Sequence, residues 1–366
     1  MSYCINPQCS QRQNPKAASH CQTCHTPLLI QGRYRLLYPL REPDTWHATE
    51  VFAIADGNTP KVLKLLKNPR LQPLFQREVE ALQRLCHAGI PKAATEDSFT
   101  LSLASGLTLY GLVMEQIEGE TLEQWVNKYG AISQALALNW LHQLLEILSV
   151  LHQSGLFHRD IKPSNLMRRP NGQLVLIDFG TVRQISATYL AKVGGQQDIT
   201  SIVSPGYTPL EQINGKAVPQ SDFYALGRSL VFLLTGQSPL ALSENTANGT
   251  LHWRQQAPQV EAWFAELIDQ LMAPFPGQRP PNTEMILQRL RSPQMTRLPN
   301  RSTAPWAKIL AIANVGLLVV QLIVGWYWWQ AHQARSPGYS GLMPDFTKHY
   351  GIDNPAEVNS RVARRG

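Results

Sequence analysis

The chain has 366 residues, 43% of them apolar and 16% charged, and 33 Lys plus Arg against 26 Asp plus Glu give a formal net charge of +7. That much apolar material supports a sizeable core in one large domain or two medium ones and excludes a largely disordered tail protein. Five cysteines exclude a disulfide-held mini-protein, and four of them fall within the first 24 residues, which marks a local site rather than a bridged framework.

Residues 1–30 are polar and carry Cys4, Cys9, Cys21 and Cys24 in the spacing C-x4-C-x11-C-x2-C. No apolar run there reads as a signal peptide. Four thiolates suit tetrahedral Zn²⁺, and Cys21 with Cys24 forms a good half-site, although the first pair is wider than the usual knuckle. A loose reduced tail with His20 and His25 as neighbours, or a redox pair, are the other readings.

From Tyr34 the chain turns to short strand-like runs. Residues 51–55 and 61–66 flank Asp56-Gly57 and predict a β-hairpin. Phe75, Val79, Leu82 and Leu85 recur at helical spacing, with Cys86 expected as a small buried group on the same helix. Residues 109–117 form an apolar run. Ser133 then caps a predicted helix whose apolar face holds Leu138, Leu141, Leu145, Leu148 and Leu151. A short strand is predicted over 174–177, and helical patterns over 222–234 and 260–272. The order is therefore a β-rich part followed by a larger α-rich part, with no internal repeat.

Residues 291–306 are rich in Pro, Ser, Thr and Arg, and 309–329 are 21 residues without a charge. At about 1.5 Å per residue such a helix is about 30 Å long, enough to cross a bilayer core. Trp326, Tyr327, Trp328 and Trp329 look like an interfacial aromatic belt. Arg291, Arg297, Arg301 and Lys308 precede the segment with no acid among them, which predicts a cytoplasmic N-terminal part by the positive-inside rule.

The segment His158-Arg159-Asp160-Ile161-Lys162-Pro163-Ser164-Asn165 is followed, 13 residues after Asn165, by Asp178-Phe179-Gly180. It resembles the catalytic loop H-R-D-x-K-P-x-N and the metal-binding D-F-G of the protein kinases, specifically the bacterial eukaryotic-like Ser/Thr kinases. The resemblance covers roughly residues 34–290 and implies an α+β, bilobal protein-kinase fold. A small β-rich N-lobe and a larger α-helical C-lobe are expected, with a zinc-ribbon-like segment over 1–30, as in some of these kinases. A basic juxtamembrane linker over 291–306, one transmembrane helix over 307–329 and a short tail over 330–366 complete the expected organisation.

Under this resemblance Asp160 orients the substrate hydroxyl and accepts its proton, Lys162 holds the γ-phosphate, and Asn165 and Asp178 supply oxygen ligands for Mg²⁺ or Mn²⁺. Lys64 matches the strand lysine on the ATP α/β-phosphates, and Glu78 the helix glutamate that pairs with it. Met114 matches the gatekeeper of a hinge whose backbone at Glu115 and Ile117 would bond adenine. Val51 matches the end of the nucleotide loop. Glu211 is expected to pair with Arg279, and Asp222 to brace the catalytic loop.

The glycine positions of the kinase nucleotide loop fall instead on Asp44, Trp46 and Thr49. A pseudokinase or scaffold with weak nucleotide binding is therefore the alternative to an active, membrane-anchored Ser/Thr kinase acting on protein hydroxyls in signal transduction. Hydroxyls at Thr181, Ser186, Thr188, Thr200, Ser201 and Ser204 mark an activation segment. A phosphate there, at Thr200 or Ser201 above all, could pair with Arg159. A homodimer stays open. Residues 1–290 carry only +1, so nucleic acid is not expected, and the other six charges flank the apolar segment.

Overall fold

The computed structural model describes residues 1–43, 48–184, 203–245 and 249–291, together with the isolated positions Trp326 and Gln330. Asp44, Trp46, Ser186, Thr188, Thr200 and Ser201 lie outside the described residues. So do the 291–306 linker beyond Arg291, the apolar 307–329 segment apart from Trp326, and the tail beyond Gln330. Among the described residues no helix is long and apolar enough to cross a membrane.

The N-terminal half is built on a six-stranded antiparallel sheet. Its strands are β3 (Leu29–Ile30), β4 (Tyr34–Pro39), β5 (Thr49–Asp56), β6 (Thr59–Leu66), β7 (Ser98–Ser102) and β8 (Thr108–Glu115), in the order β3-β4-β5-β6-β8-β7. The predicted hairpin is β5–β6. It turns at Gly57, whose φ of 61° lies in the left-handed region that glycine enters without a Cβ clash, and Asp56 pairs with Thr59 across the turn. Strand periodicity splits the sheet into two faces. Phe52, Ile54, Leu63, Leu65, Leu109 and Val113 join one buried cluster on the outer face. Lys64 and Leu112, a register pair on β6 and β8, point the other way, where Leu66 and Leu112 join the main core.

The first 30 residues pack on the outer face. β1 (Ser2–Tyr3) and β2 (Gln13–Asn14) form a small antiparallel ladder, and Ile5 is part of the outer cluster with Phe52 and Leu63. Cys4, Cys9, Cys21 and Leu28 make a separate small core of their own.

Helix α1 (Gln72–Arg84) lies against the inner face. Phe75, Val79 and Leu82 are buried at helical spacing, and Glu78 shares their stripe. Cys86 departs from its expected place. It sits two residues beyond the end of α1 and is exposed, because Leu85 already leaves the helix in an extended conformation.

After β9 (Glu120–Thr121) and α2 (Leu122–Tyr129) the chain is mainly helical. Helix α3 (Gln134–Gln153) starts where Ser133 accepts a hydrogen bond from the Leu136 N–H. Its buried face is wider than the predicted one, since Ala137, Trp140, Leu144 and Ile147 join it while Leu138 is half-buried. Helix α3 is thus held between α5 (Pro219–Thr235) and α7 (Thr283–Arg291), while α6 (Ala262–Leu271) packs on α5, rather than lying on one partner by one stripe. Short strands β10 (Leu156–Phe157), β11 (Leu166–Arg168), β12 (Leu174–Leu176) and β13 (Arg183–Gln184) run between α3 and the one-turn helix α4 (Leu210–Ile213). This is the small β-rich and larger α-rich arrangement that the sequence predicts.

Arg279 has a fully buried side chain and grips Glu211 of α4 at 2.6 and 3.2 Å. It also donates to the carbonyls of Ala273, Pro274 and Gln220. Truncating one partner of a buried pair leaves the other desolvated, which costs about 3–5 kcal/mol. Arg279→Ala is expected to lower the unfolding free energy by that amount, seen as a lower urea midpoint at an unchanged m-value by tryptophan fluorescence.

Candidate active site

Four segments converge between the two halves. β6 supplies Lys64 and α1 supplies Glu78. The loop after β10 supplies residues 158–165, and the turn after β12 supplies 178–180. Lys64 Nζ donates to Glu78 Oε1 at 2.7 Å and to Asp178 Oδ1 at 2.6 Å. Burial alone would pull the lysine pKa down, but the adjacent Asp178 and Glu78 carboxylates more than reverse it, and the amine is held well above its ordinary value. Asp178 is held far below the carboxylate range, chiefly by the Lys64 charge. Desolvation pushes Glu78 up, against the pull of the same lysine.

Asp178 has φ 64° and Arg159 φ 73°, left-handed conformations that cost an ordinary residue about 1–3 kcal/mol each. Both are pinned by their surroundings. The Arg159 N–H donates to Asp222 Oδ1 at 2.8 Å, and its carbonyl accepts from Gln212 Nε2 at 2.7 Å. Two residues after Asp178, a Cβ at Gly180 would sit 3.0 Å from Lys64 Nζ.

Asp222, at the start of α5 and fully buried, also accepts from the His158 N–H at 2.9 Å and bonds His152 Nε2 at 2.9 Å. Desolvation raises its pKa, yet the bonds from His152 and the Arg159 amide outweigh that and hold it below the ordinary carboxylate value. His158 is driven toward its neutral form by burial and packs edge-on against Phe179 at 5.1 Å.

Three donors hold the Asp160 carboxylate, two on Oδ2 and one on Oδ1. Asn165 Nδ2 and Lys162 Nζ each reach Oδ2 at 2.9 Å, and the Ser204 hydroxyl donates to Oδ1 at 2.6 Å. Lys162 Nζ in turn donates to Ser204 Oγ at 2.9 Å. Asn165 Nδ2 also donates to the Asp160 carbonyl, so its side-chain oxygen is the atom left to offer a cation. Asp160, Lys64, Asp178, Glu78 and the buried Arg159 all line one cavity of about 370 Å³.

Val51 stands opposite Lys64 in the β5–β6 register. Glu115 ends β8, where its side chain pairs with Arg169 at 2.6 Å and its N–H donates to the Lys92 carbonyl at 2.8 Å. Ile117 is buried just beyond it and Met114 is half-buried before it. Of the candidate activation-segment hydroxyls within the described residues, Ser204 is committed to Asp160 and Lys162, and Thr181 donates to the His158 carbonyl at 2.5 Å. Both are buried. They are internal braces rather than solvent-facing acceptors of phosphate, and the sequence distinguishes neither from its neighbours.

A protein kinase domain model matches residues 51–290. The chain belongs to the protein kinase family. The kinase match begins at Val51, directly after the segment in which Asp44, Trp46 and Thr49 stand at glycine positions. Serine/threonine-protein kinase B of Synechocystis sp. is 33% identical over 312 residues, which is 80% of this chain and 52% of that protein. Serine/threonine-protein kinase F of the same organism is 34% identical over 73% of this chain and 56% of its own length. Serine/threonine-protein kinase PknA of Nostoc sp. is 32% identical over 72% of this chain and 48% of its own. The chain thus spans about half the length of these curated relatives.

The four cysteines of the N-terminal segment are also brought together. Their Sγ atoms all lie within 4.8 Å of one another, with Cys4 to Cys24 at 3.6 Å and Cys9 to Cys21 at 3.7 Å. Although burial raises the Cys24 thiol, hydrogen bonds from Thr26 and from the Cys4 and Cys9 thiols prevail and lower it to about 6. Burial raises the Cys4 thiol.

The Asp222 braces carry a pH signature. A carboxylate held below its unfolded pKa stabilises the fold fully above that pKa, near 4, and loses the contribution as pH falls further. Asp222→Asn presents an amide to two backbone N–H groups and is expected to cost about 1–3 kcal/mol at neutral pH. Urea unfolding from neutral to acid pH is expected to show a steep loss of stability below about pH 4 in the wild type and a shallower one in the variant.

Proposed function

We propose that the chain is an ATP- and Mg²⁺-dependent protein Ser/Thr kinase. The observation that carries this reading is the Asp160 carboxylate, oriented by Asn165, Lys162 and Ser204 and facing the same cavity as Lys64 and Asp178. Packing alone gives no reason to hold an acid, an amide, an amine and a hydroxyl in that constellation. In this reading Asp160 orients the substrate hydroxyl and takes its proton as the γ-phosphate is transferred, while Lys162 steadies the developing charge. Lys64, held in place by Glu78, grips the nucleotide phosphates. The Asn165 oxygen and the Asp178 carboxylate would hold Mg²⁺, which supplies charge neutralisation between the β- and γ-phosphates. The backbone of Glu115 and Ile117 would receive adenine.

The missing glycines weaken the backbone cradle, and Arg41 supports a different supply of positive charge. Its guanidinium donates to the Thr49 carbonyl at 2.7 Å and lines the cavity with Lys64 and Asp178. A cation there serves an anionic ligand that backbone amides would otherwise serve.

The zinc reading is supported by sulfur geometry. Zn²⁺ with Zn–S bonds of about 2.3 Å requires S···S edges near 3.8 Å, close to the two Sγ pairs present. Membrane anchoring, with the kinase domain cytoplasmic, rests on the uncharged 309–329 segment and its basic N-terminal flank alone.

Transfer of labelled γ-phosphate to a generic protein substrate tests the enzyme. Asp160→Ala is expected to lose at least about 10²-fold in rate, the scale of a general base. Nucleotide binding with equal, negligible transfer by both chains would instead establish the scaffold reading. Arg41→Ala is expected to raise the KM for ATP roughly tenfold, the equivalent of one charge-assisted hydrogen bond, while adenosine binding stays unchanged. Elemental analysis is expected to find one zinc per chain, lost in Cys21→Ser.

A further inference from the structure

A further buried ion pair stands on the outer face of the sheet, away from the cavity. Arg12 lies between Cys9 and Cys21 in the sequence, and its side chain is only 9% exposed. It meets Glu50, 5% exposed, through both guanidinium arms at 2.8 and 3.1 Å. The same guanidinium donates through Nε to the Cys4 carbonyl at 2.9 Å and through Nη2 to the Ile5 carbonyl at 3.3 Å. It also lies 4.9 Å from the centre of the Tyr3 ring and 5.3 Å from that of Phe52. The Cys4 N–H closes the loop by donating to the Arg12 carbonyl at 2.7 Å. Arg12 therefore clasps a thiol-bearing residue with its main chain and its side chain while its charge is spent on β5.

Glu50 occupies a particular place on β5. It is flanked by Thr49, whose carbonyl accepts from Arg41, and by Val51, which pairs with Lys64. Lys67 approaches Glu50 at 3.5 Å and donates its N–H to the Ala48 carbonyl at 2.8 Å. Three consecutive residues at the start of β5 are thus pinned where a flexible glycine loop would otherwise end.

Resting on the kinase and zinc readings above, we propose that Arg12 is a positioning residue for the nucleotide cleft. Zinc on Cys4, Cys9, Cys21 and Cys24 and nucleotide in the cleft are coupled through the Arg12–Glu50 pair. The core of the cysteine segment is small, Cys4, Cys9, Cys21 and Leu28 with Ala18 and Cys24 packed against it, so bound zinc would add much of what fixes Cys4. When Cys4 is released, Arg12 loses its clasp. Glu50 is then left desolvated beside Lys67 only, a state that a buried carboxylate escapes by shifting its strand toward water. That strand carries the end of the nucleotide loop. Because linkage between two binding sites is reciprocal, nucleotide must tighten zinc by the factor by which zinc tightens nucleotide.

The test uses the full chain. Zinc affinity is measured by competition with a chromophoric chelator, with and without saturating Mg-ADP, and ADP binding is followed directly by calorimetry. Mg-ADP is expected to tighten zinc by about fivefold or more, the lower range of allosteric couplings. In Arg12→Gln, and in Glu50→Gln should the first variant fold poorly, both ligands are expected to bind with the coupling ratio reduced to one. Arg12→Lys keeps the charge without the two-armed fork and is expected to fall between.

A wild-type ratio of one with both ligands bound overturns the coupling, and an undiminished ratio in the two Gln variants overturns the role of Arg12. A chain that takes up no zinc overturns the proposal at its first step. Absence of ADP binding is a separate result: it overturns the kinase reading itself and this proposal with it.

Discussion

The interaction on which the rest depends is the grip of Lys64 on two carboxylates from different parts of the chain. Glu78 comes from α1 and Asp178 from a turn a hundred residues later, yet both reach one amine, at 2.7 and 2.6 Å. A buried lysine without them would shed its proton, and either carboxylate without the lysine would be an uncompensated charge. The sheet, the helix and the later turn therefore have to arrive together. Their registers follow from that need: β6 presents Lys64 on the inner face while Leu63 and Leu65 fill the outer one, and α1 turns Glu78 inward with Phe75, Val79 and Leu82.

The strain in the site is answered from the α-rich side. Two ordinary residues, Arg159 and Asp178, hold left-handed backbone. Asp222 ties the first through the His158 and Arg159 amides, and Gln212 donates to the Arg159 carbonyl. Glu211, next in sequence to Gln212, is itself anchored by the buried Arg279. A chain of polar contacts thus runs from the base of the helical half to the loop that carries Asp160, each link desolvated enough that a loose fit would be costly. Electrostatic catalysis needs groups that do not reorganise when charge develops, and this lattice provides that rigidity.

The order of motifs made the polar centre legible in the sequence, because Asp160, Asn165 and Asp178 identify one another through spacing. The hairpin at Gly57 and the Ser133 cap were legible for local reasons: each is written within four residues. The role of Ser204 was not, since its contact with Asp160 spans 44 residues and one hydroxyl among six carries no mark of it. Cys86 failed for the opposite reason. A helical period continued one turn too far placed it inside, whereas α1 ends at Arg84 and the chain leaves in an extended conformation. Arg12 carried no signal at all, because the glutamate it meets lies across a domain boundary that the sequence only suggested.

The absence of glycines from the nucleotide loop acquires a physical counterpart in the way β5 begins. Glycine lets a backbone fold over phosphates at the cost of conformational freedom that must be frozen when the ligand arrives. Here the residues that close the same loop are held beforehand: Ala48 by the Lys67 amide, Thr49 by Arg41 and Glu50 by Arg12. A strand start held in advance has less entropy to lose on binding. In the reading proposed for the cleft, side-chain charge from Arg41 stands in for the amides that a glycine loop would offer. The missing glycines, a departure from the family pattern, and the cysteine segment packed behind the sheet become parts of one arrangement. The strand that follows the glycine-free segment is held on its outer side by the Arg12–Glu50 pair.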